Sequence, residues 1–463
     1  MQNTATRQQR RAAAEIFPLL CVAGAVAATP FRDRLTDVLL LLSTVLFAVI
    51  CRYSRRYLDG DPGQGRFYGW LCATGSCVFA LILAQNLLLF ALAWLATSLS
   101  LHQLLQFYPD RPGALLAARK KFLISRLGDC ALAGALILTY RVFGTWDFAT
   151  LFAAAGKLRA GGEIPAGVSL AACLLAFAAM LKSAQFPFHS WLPDTMETPT
   201  PVSALMHAGI INAGGILVIR LSPIVSLSPL ALAALAAVGA FTALFGSVVA
   251  LTQASVKRCL AFSTVAQMGF MMLECGLGAF HLALLHLVAH SLYKAYSFLS
   301  SGSVVATEPA RAERAPGAAA LIAGLSPAAL VWLANMERFH EPVLSGIFFL
   351  GLAQLLWGAG RGWRALTGVL TGACIAVLYF GLEAAAAAVV APVHVPQNQL
   401  LEGAILAAFL VTAVVQSQLP RIRQKEAAGT FYIHARNGFY FNTLANRVTM
   451  ALWPVRHTER SFL

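Results

Sequence analysis

Long apolar runs alternate with short polar connections along almost the whole chain. Most runs extend over about 17 to 25 residues, the length that a helix needs to cross the hydrocarbon core of a bilayer. Because backbone groups in lipid must pair within their own segment, such runs predict helices. They lie near residues 35–51, 67–84, 86–107, 122–142, 168–186, 199–222, 227–252, 258–277, 279–305, 317–334, 342–358, 363–385 and 399–418. The pattern predicts an all-α, polytopic membrane protein, with about 12–14 transmembrane helices within residues 1–420.

Composition agrees with this fold class and changes how the charge is interpreted. The chain is 58% hydrophobic and 12% charged, whereas about a quarter of the residues of a soluble domain are charged. A net charge of +14 could indicate a nucleic-acid partner. The basic residues, however, occur in short connections beside apolar runs, which is typical of the positive-inside pattern and favours a bilayer over nucleic acid. Examples are Arg52, Arg55, Arg56, Arg66, Lys120, Lys121 and Arg126.

Two features of the sequence leave alternatives open. The stretch 16–28 is apolar but short and follows three arginines, so it is either a signal peptide or a short first helix or re-entrant anchor; we favour the anchor. The chain has nine cysteines and no CxxC pair. Nearly all of them lie in apolar runs, so we interpret them as small core residues and not as metal ligands or disulfide partners.

Lysine usage provides the first candidate chemistry. Arg outnumbers Lys 27 to 7, yet the basic residues deepest in apolar sequence are Lys182 and Lys294. An arginine keeps its proton in a protein, whereas a lysine can release it when burial lowers its pKa. An ionisable residue inside the membrane is costly and therefore indicates function. The alternative for Lys294 is a side chain that snorkels to the interface.

The segment HLVAHSLYK places three titratable residues on one helical face. His286, His290 and Lys294 are four residues apart, so they lie within about 80° of one another and about 6 Å apart along the axis. Histidine both accepts and donates a proton near neutral pH, so this ladder suits proton relay. A metal site is one alternative, but no Glu or Cys nearby in the sequence completes a ligand set. Polar residues hydrogen-bonded between helices are the other.

The segment from Met180 to Gly215 predicts a broken helix. Lys182 is followed five residues later by Pro187, which removes a helical hydrogen bond next to the charge. Broken helices at membrane depth are how transporters expose helix ends to ions. A polar turn follows, and His207 lies about two turns inside the next helix.

Three long motifs then make the sequence recognisable. KSAQFPFHSWLPDTMETPTPVSALMHA, VKRCLAFSTVAQMGF and HLVAHSLYKAYSFLSSGS resemble the antiporter-like, proton-translocating subunits of respiratory complex I and Mrp antiporters, the NuoL/MrpA family, over about residues 50–305. The resemblance implies an inverted-repeat core. It also implies that Lys182 is the lysine of the broken helix and that the following residues form a central polar axis: His207, Lys257, His286, His290 and Lys294.

The chain departs from this family at two positions. Family members carry a Trp-Glu pair whose carboxylate partners the lysine, but Trp94 is followed here by Leu95. The nearest acid is Asp129, which we predict to be the counter-charge. The family also has a lysine in a second broken helix, whereas this chain has none between Lys294 and Lys425. The second half-channel is therefore altered or lost, and Glu383 is a weak candidate substitute.

The C-terminal tail, residues 421–463, resembles a narrower group, the membrane subunit of DAB-type inorganic carbon transporters. That resemblance implies a bacterial inner-membrane protein, a cytoplasmic partner with a carbonic-anhydrase-like zinc site, and no cofactor or metal in this chain. The tail is too polar to span a membrane and is rich in aromatic residues. We predict that five of them anchor the partner: Phe431, Tyr432, Phe439, Tyr440 and Phe441. An amphipathic helix on the bilayer surface is the alternative.

Three functions remain compatible with the sequence. The first is a proton-conducting subunit of an inorganic carbon uptake complex. The second is a subunit of a complex I-like, hydrogenase-like or Mrp-like assembly, which predicts a second lysine-bearing broken helix. The third is a scaffold that anchors a partner. The sequence leaves open whether the cation is H⁺ or Na⁺.

Overall fold

The computed structural model describes residues 33–303, 341–358, 363–393, 395–396, 398–422 and 426–454. The predicted runs at 16–28 and 317–334 lie outside these residues. The helices of the first half are α1 Arg34–Tyr57, α2 Gln64–Leu83, α3 Leu87–Leu105, α4 Pro112–Phe143, α5 Phe148–Gly161, α6 Ala166–Lys182, α7 Trp191–Asp194, α8 Thr200–Ala208 and α9 Ala213–Arg220. Those of the second half are α10 Ser222–Val225, α11 Pro229–Ala250, α12 Val256–Gly276, α13 Phe280–Leu299, α14 Pro342–Gly358, α15 Trp363–Ala387, α16 Gln399–Ile422, α17 Glu426–Arg436 and α18 Phe441–Leu452.

The described residues confirm the all-α membrane fold. Eight helical segments are long and apolar enough to cross a bilayer, with α8 and α9 counted as one. Helices α6 and α14 are shorter, with 17 residues each, α13 is more polar, and α15 extends over 25 residues. Helix α13 owes its lower hydropathy to the predicted ladder of histidines and lysine. Exposed leucine and valine side chains on α1, such as Leu41 and Val45, cover the outer face, as expected of a lipid-facing surface.

Contacts between connections define two ends of the bundle. At one end, which we call the tail-side end, Arg66 donates to the carbonyl of Phe107 and Gln253 donates to the carbonyl of Arg436 in α17. At the far end, Asn86 pairs with Asp147 across two connections. The segment after Cys51, the start of α4 and the tail thus lie at the same end.

One sequence interpretation is wrong. Lys120, Lys121 and Arg126 do not lie in a connection, because α4 begins at Pro112, well before the apolar run that was expected from residue 122, and continues through all three to Phe143. Lys120 and Lys121 are only 1% and 2% exposed. They are therefore interior cations that need partners inside the protein, not interfacial charges.

The helix that begins with α6 is broken next to Lys182, as predicted. Helix α6 ends at Lys182, and Ala184 adopts a left-handed conformation with φ of 50°. In a continuous helix the carbonyl of Ser183 would accept from residue 187, but Pro187 has no N–H. The Gln185 side chain donates to this carbonyl instead, at 2.9 Å. The backbone N–H of Phe186 donates to the Thr242 hydroxyl on α11, so neighbouring groups satisfy the break.

A second irregularity follows His207 and was not predicted. Helix α8 ends at Ala208, and a short 3-10 turn, Ile210–Asn212, separates it from α9. At Gly209, a Cβ atom would lie 2.8 Å from the carbonyl oxygen of Leu205. A larger residue would therefore clash with the preceding turn, and glycine permits the interruption at this position.

Helices α11 and α12 form a close pair that supports this region. A Cβ atom at Gly269 would lie 2.4 Å from the backbone nitrogen of Ala243, and one at Gly246 would lie 2.7 Å from that of Ala266. Small residues at such crossings let membrane helices approach backbone to backbone. The pair carries Thr242, which bonds the broken helix, and Thr264, which bonds His207.

Candidate functional site

Lys182 is the centre of the first group of buried charges. Its side chain is 6% exposed, and its Nζ lies 4.3 Å from the ring centroid of Trp94 on α3. The Trp94 Nε1 donates a hydrogen bond of 3.0 Å to Asp129 Oδ1 on α4. Lys182 Nζ makes no hydrogen bond with another described residue. Trp94 therefore lies between the ammonium group and the carboxylate that we predicted as its counter-charge, and it contacts both.

Two more cations share the same carboxylate. Arg126 forms an ion pair with Asp129 at 2.7 Å. Lys121 interacts electrostatically with Lys182, Arg126 and Asp129. Its Nζ donates to the carbonyl and the hydroxyl of Ser98 at 2.9 and 2.8 Å. The sequence predicts Lys121 at the interface, but the structure places it with Lys182 and Arg126 around Asp129, so one acid faces three basic side chains.

Lys294 is the centre of a second group. It is 0% exposed, and its Nζ donates to the Leu260 carbonyl at 3.1 Å and to the Ser263 hydroxyl at 2.9 Å, both on α12. The side chain therefore ends inside the bundle and does not snorkel to an interface. His207 lies within electrostatic range of Lys294, which places the histidine of α8 and the lysine of α13 in one group.

His207 is held in a fixed orientation by two neighbours. Its Nδ1 is 3.1 Å from the Thr264 hydroxyl, and its ring stacks on Phe298 with centroids 4.3 Å apart. The Nε2 atom is buried and has no hydrogen-bond partner among the described residues. Because buried polar groups are normally paired, this nitrogen can exchange a hydrogen bond with a passing water or proton carrier.

The predicted ladder on α13 continues from Lys294 to an acid that sequence reasoning missed. The rings of His290 and His286 are 6.2 Å apart between centroids, and His286 Nδ1 lies 2.9 Å from Glu274 Oε2. Glu274 is 6% exposed. Its only signal in the sequence is a single acid in the apolar run MMLECG. Within the described part of the chain, no group of three or more potential ligands could hold a metal ion.

Small polar residues lie between the two lysine groups. The Ser183 hydroxyl, next to Lys182, donates to the carbonyl of Ile211 at 2.8 Å. Asn212 then donates to the hydroxyl of Ser291, the residue after His290, at 2.8 Å. The helix break after Lys182 is thus in contact with the turn after His207. This contact places polar groups between the two lysines, which the apolar pattern of the sequence does not predict.

The remaining predicted residues lie toward the two ends. Lys257, in the first turn of α12, donates to the Thr200 hydroxyl at 2.9 Å, near the tail-side end. Glu383 on α15 lies 3.8 Å from His281 Nε2. Glu341 is within electrostatic range of Glu383 and Glu402. Glu383, the weak substitute for the missing second lysine, is therefore near a buried histidine and a second acid, Glu341.

Three of the five aromatic residues predicted to anchor a partner contact other parts of this chain. Phe441 packs on Phe186 with ring centroids 4.7 Å apart, and Phe439 packs 5.9 Å from Phe245. The Tyr432 hydroxyl donates to the Thr252 carbonyl. The other two predicted anchors, Phe431 and Tyr440, are 42% and 46% exposed. Their role in binding a partner stays a prediction.

The fold and these buried groups define a polytopic membrane subunit with titratable side chains along a broken helix. The sequence pattern described as "NADH:quinone oxidoreductase/Mrp antiporter, TM" matches residues 84–378. The chain belongs to this family, so it is an antiporter-like, ion-translocating membrane subunit.

Inorganic carbon transporter subunits and a quinone oxidoreductase subunit are among the proteins similar to this chain. The protein named "Probable inorganic carbon transporter subunit DabB2" in Halothiobacillus neapolitanus is 40% identical over 93% of this chain and 82% of its own length. A DabB protein of Hydrogenovibrio crunogenus is 36% identical over 90% and 83%. Chloroplastic NAD(P)H-quinone oxidoreductase subunit 5 of Acorus calamus is 35% identical over 70% of this chain but 43% of its own length.

A solved structure of an Mrp complex from Dietzia sp. is similar over 99% of the chain. It has a TM-score of 0.57 and 25% identity. The chain spans 56% of that Mrp chain, so the likeness concerns the shared membrane fold.

Replacing Asp129 by Asn tests whether one carboxylate compensates the cations around it. The amide can still accept from Trp94, but Arg126, Lys121 and Lys182 lose their counter-charge. We expect the free energy of unfolding to fall by about 1.5–3 kcal/mol, the range for hydrogen bonds to charged groups. Thermal unfolding followed by tryptophan fluorescence in detergent measures this, with the exposed Asp110→Asn as the matched control.

A second substitution separates charge from packing. Lys121→Met removes one buried cation and keeps the side-chain length, so the Asp129→Asn, Lys121→Met double variant should recover much of the lost stability. Unfolding temperatures that are the same for wild type and Asp129→Asn would contradict the role of Asp129 as the shared counter-charge.

Proposed function

We propose that the chain is the proton-conducting membrane subunit of an inorganic carbon uptake complex driven by a cation gradient. The observation that carries the proposal is the pair of buried lysine groups with the polar residues Ser183, Asn212 and Ser291 between them. Relatives that are 40% and 36% identical are named as inorganic carbon transporter subunits, which supports the substrate class. The complex would reside in a bacterial inner membrane.

Opposing interactions make Lys182 suitable for loading and releasing a proton. The Trp94 ring and the Asp129 charge stabilise its ammonium form, while Lys121 and Arg126 repel it. A small movement at the break after α6 changes the balance, because Lys182 is the last residue of its helix. The ammonium group can then pass its proton toward Ser183 and the groups beyond it, and the lysine becomes neutral.

The second group provides the continuation of the path. His290 has both ring nitrogens without a partner among the described residues, so it can accept on one nitrogen and donate from the other. His286 lies beyond it and is paired with Glu274, which stabilises a proton that arrives there. From His286 the route leads toward His281 and Glu383 at the far end.

The distribution of charge supports a cytoplasmic location for the tail. Basic residues concentrate at the tail-side end, where they include Arg55, Arg56, Arg66, Arg111, Arg119, Lys257, Arg258 and Arg436. By the positive-inside rule this end faces the cytoplasm. We propose that a large partner with a carbonic-anhydrase-like zinc site docks there and hydrates CO₂ to bicarbonate, while this chain supplies the proton path.

A cation/proton antiporter or quinone-oxidoreductase subunit is the second candidate, because relatives with those names match most of the chain. In this family a second lysine-bearing broken helix is expected for that function. Helix α15 carries Glu383 instead and continues without a break from Trp363 to Ala387. Proton flux that requires a zinc-containing partner would favour the first candidate, and flux coupled to Na⁺ exchange would favour the second.

Lys182→Arg is the sharpest test of proton transfer at the broken helix. Arginine keeps the charge near Trp94 and Asp129 but does not release its proton. We expect proton flux in proteoliposomes of the purified complex to fall by about tenfold or more, which equals at least about 1.4 kcal/mol in the barrier. The exposed Lys157→Arg on α5 should keep wild-type flux. A well-folded Lys182→Arg complex with full flux would mean that Lys182 only fixes the local charge.

His290→Gln tests the ladder on α13. Glutamine preserves approximate size and hydrogen bonding but does not titrate near neutral pH. Flux should fall sharply while the amount of folded protein stays unchanged, and His434→Gln on α17 serves as the control. Normal inorganic carbon accumulation in cells with His290→Gln would indicate that the histidine is only a structural polar residue.

Partner docking is tested on the exposed part of the tail. Phe431→Ser with Tyr440→Ser removes two exposed rings and leaves the rings that hold the tail in place, Phe439 and Phe441, intact. We expect co-purification of the partner to decrease strongly, because exposed aromatic residues often dominate binding energy. Tyr57→Ser, at the end of α1 on the same side, is the control. Full recovery of the partner with the double variant would argue instead for a tail that rests on the bilayer.

A further inference from the structure

A cavity of about 260 Å³ lies where the tail crosses the loop after the broken helix. One wall is formed by His189 and Ser190 in that loop, and the opposite wall by residues around Gly438 between α17 and α18. Arg258, in the first turn of α12, contributes a third side. Three separate parts of the chain therefore converge on one polar cavity at the tail-side end.

Two buried side chains in this cavity have unused hydrogen-bonding atoms. His189 is 2% exposed and Ser190 is 3% exposed. The His189 Nδ1 and the Ser190 Oγ have no hydrogen-bond partner among the described residues. A buried polar atom is costly unless it is paired, so these atoms are suited to a polar ligand in the cavity.

The charged residues around the cavity indicate whether the ligand is an anion or a cation. Arg258 and Arg436 both line it, and neither guanidinium forms an ion pair with another residue in the described part of the chain. No Asp or Glu occurs among the described lining residues. Asp194 is close by, but it bonds Lys120 at 2.6 Å and Asn442 at 2.9 Å. Its charge is therefore compensated, and the cavity favours an anion.

The geometry of the tail holds these groups in place. Gly438, Phe439 and Tyr440 all have positive φ angles, of 57°, 51° and 64°, an uncommon conformation for the two aromatic residues. The packing of Phe439 and Phe441 on the transmembrane helices maintains this turn. Asn442 joins the turn to Lys120 and Asp194, so the cavity is shaped before a ligand arrives.

We propose that this cavity binds an oxyanion of carboxylate or phosphate type, held by Arg258 and Arg436 with His189 and Ser190 at its base. Guanidinium groups match the geometry of such anions, and a serine hydroxyl and a histidine nitrogen add hydrogen bonds. The ligand is either a free anion such as bicarbonate or phosphate, or the phosphate of a lipid headgroup. This site is separate from the proton path and does not depend on the proposed function.

Isothermal titration of the purified full-length chain with bicarbonate and with inorganic phosphate tests the site at constant ionic strength. Arg258→Gln and Arg436→Gln should each weaken binding by about tenfold, the effect of losing one charge-assisted hydrogen bond. Arg447→Gln on α18 makes the same change of charge outside the cavity, and it should bind like wild type. Equal affinities for wild type and the Arg258→Gln, Arg436→Gln double variant would overturn the proposal.

Native mass spectrometry distinguishes the two sources of the anion. A phospholipid adduct on the wild-type chain that is lost in the double variant identifies a headgroup, and anion binding without such an adduct identifies a free anion. Both results support the oxyanion site. If wild type binds neither ligand and the double variant loses only a co-purified protein, the arginines contact a protein partner and the proposal fails.

Discussion

The cost of a cation inside the membrane is the constraint on which the rest of this structure depends. Lys182 ends a helix within the bundle, where, among the described residues, the face of Trp94 and the charge of Asp129 stabilise its ammonium group. A hydrogen bond or direct ion pair would hold it more tightly but would also resist release of the proton. Contact through an aromatic ring stabilises Lys182 without a direct ion pair, which suits the loading and release of a proton that we propose for it.

In that arrangement Asp129 takes the position of counter-charge, whereas the resemblance to the family implies a glutamate after Trp94, where this chain has Leu95. Asp129 is on a different helix, α4, and reaches Lys182 through the indole of Trp94. The same carboxylate pairs with Arg126, and Lys121 adds a further cation. A change at any of these residues therefore alters the environment of Lys182, and α4 carries all three: Lys121, Arg126 and Asp129. Movement of α4 against α6 would therefore change the charge around Lys182.

Much of the fold could be predicted because the bilayer imposes it. Apolar runs of the right length must become helices, and a proline next to a lysine indicated the break after α6. The burial of Lys120 and Lys121 could not be predicted in this way, since the apolar run was taken to begin at residue 122. It depends on Ser98 and Asp194, which lie on other elements. The interruption at Gly209 and the pairing of Glu274 with His286 likewise arise from contacts between helices.

The tail connects the anion cavity to the helices that surround Lys182. Its helices are held by aromatic rings against α11 and the broken-helix loop, and by Asn442 against Lys120 and Asp194. Asp194 ends the segment that runs from Lys182 to the tail-side end, and Lys120 precedes Lys121 on α4. A displacement of α18 would therefore be transmitted to α4 and to the segment after the broken helix, the two elements next to Lys182. An anion in the neighbouring cavity, or a partner on the exposed face of the tail, would influence Lys182 through the same contacts. Such coupling requires only that the ligand bind one arrangement of α18 more tightly than another.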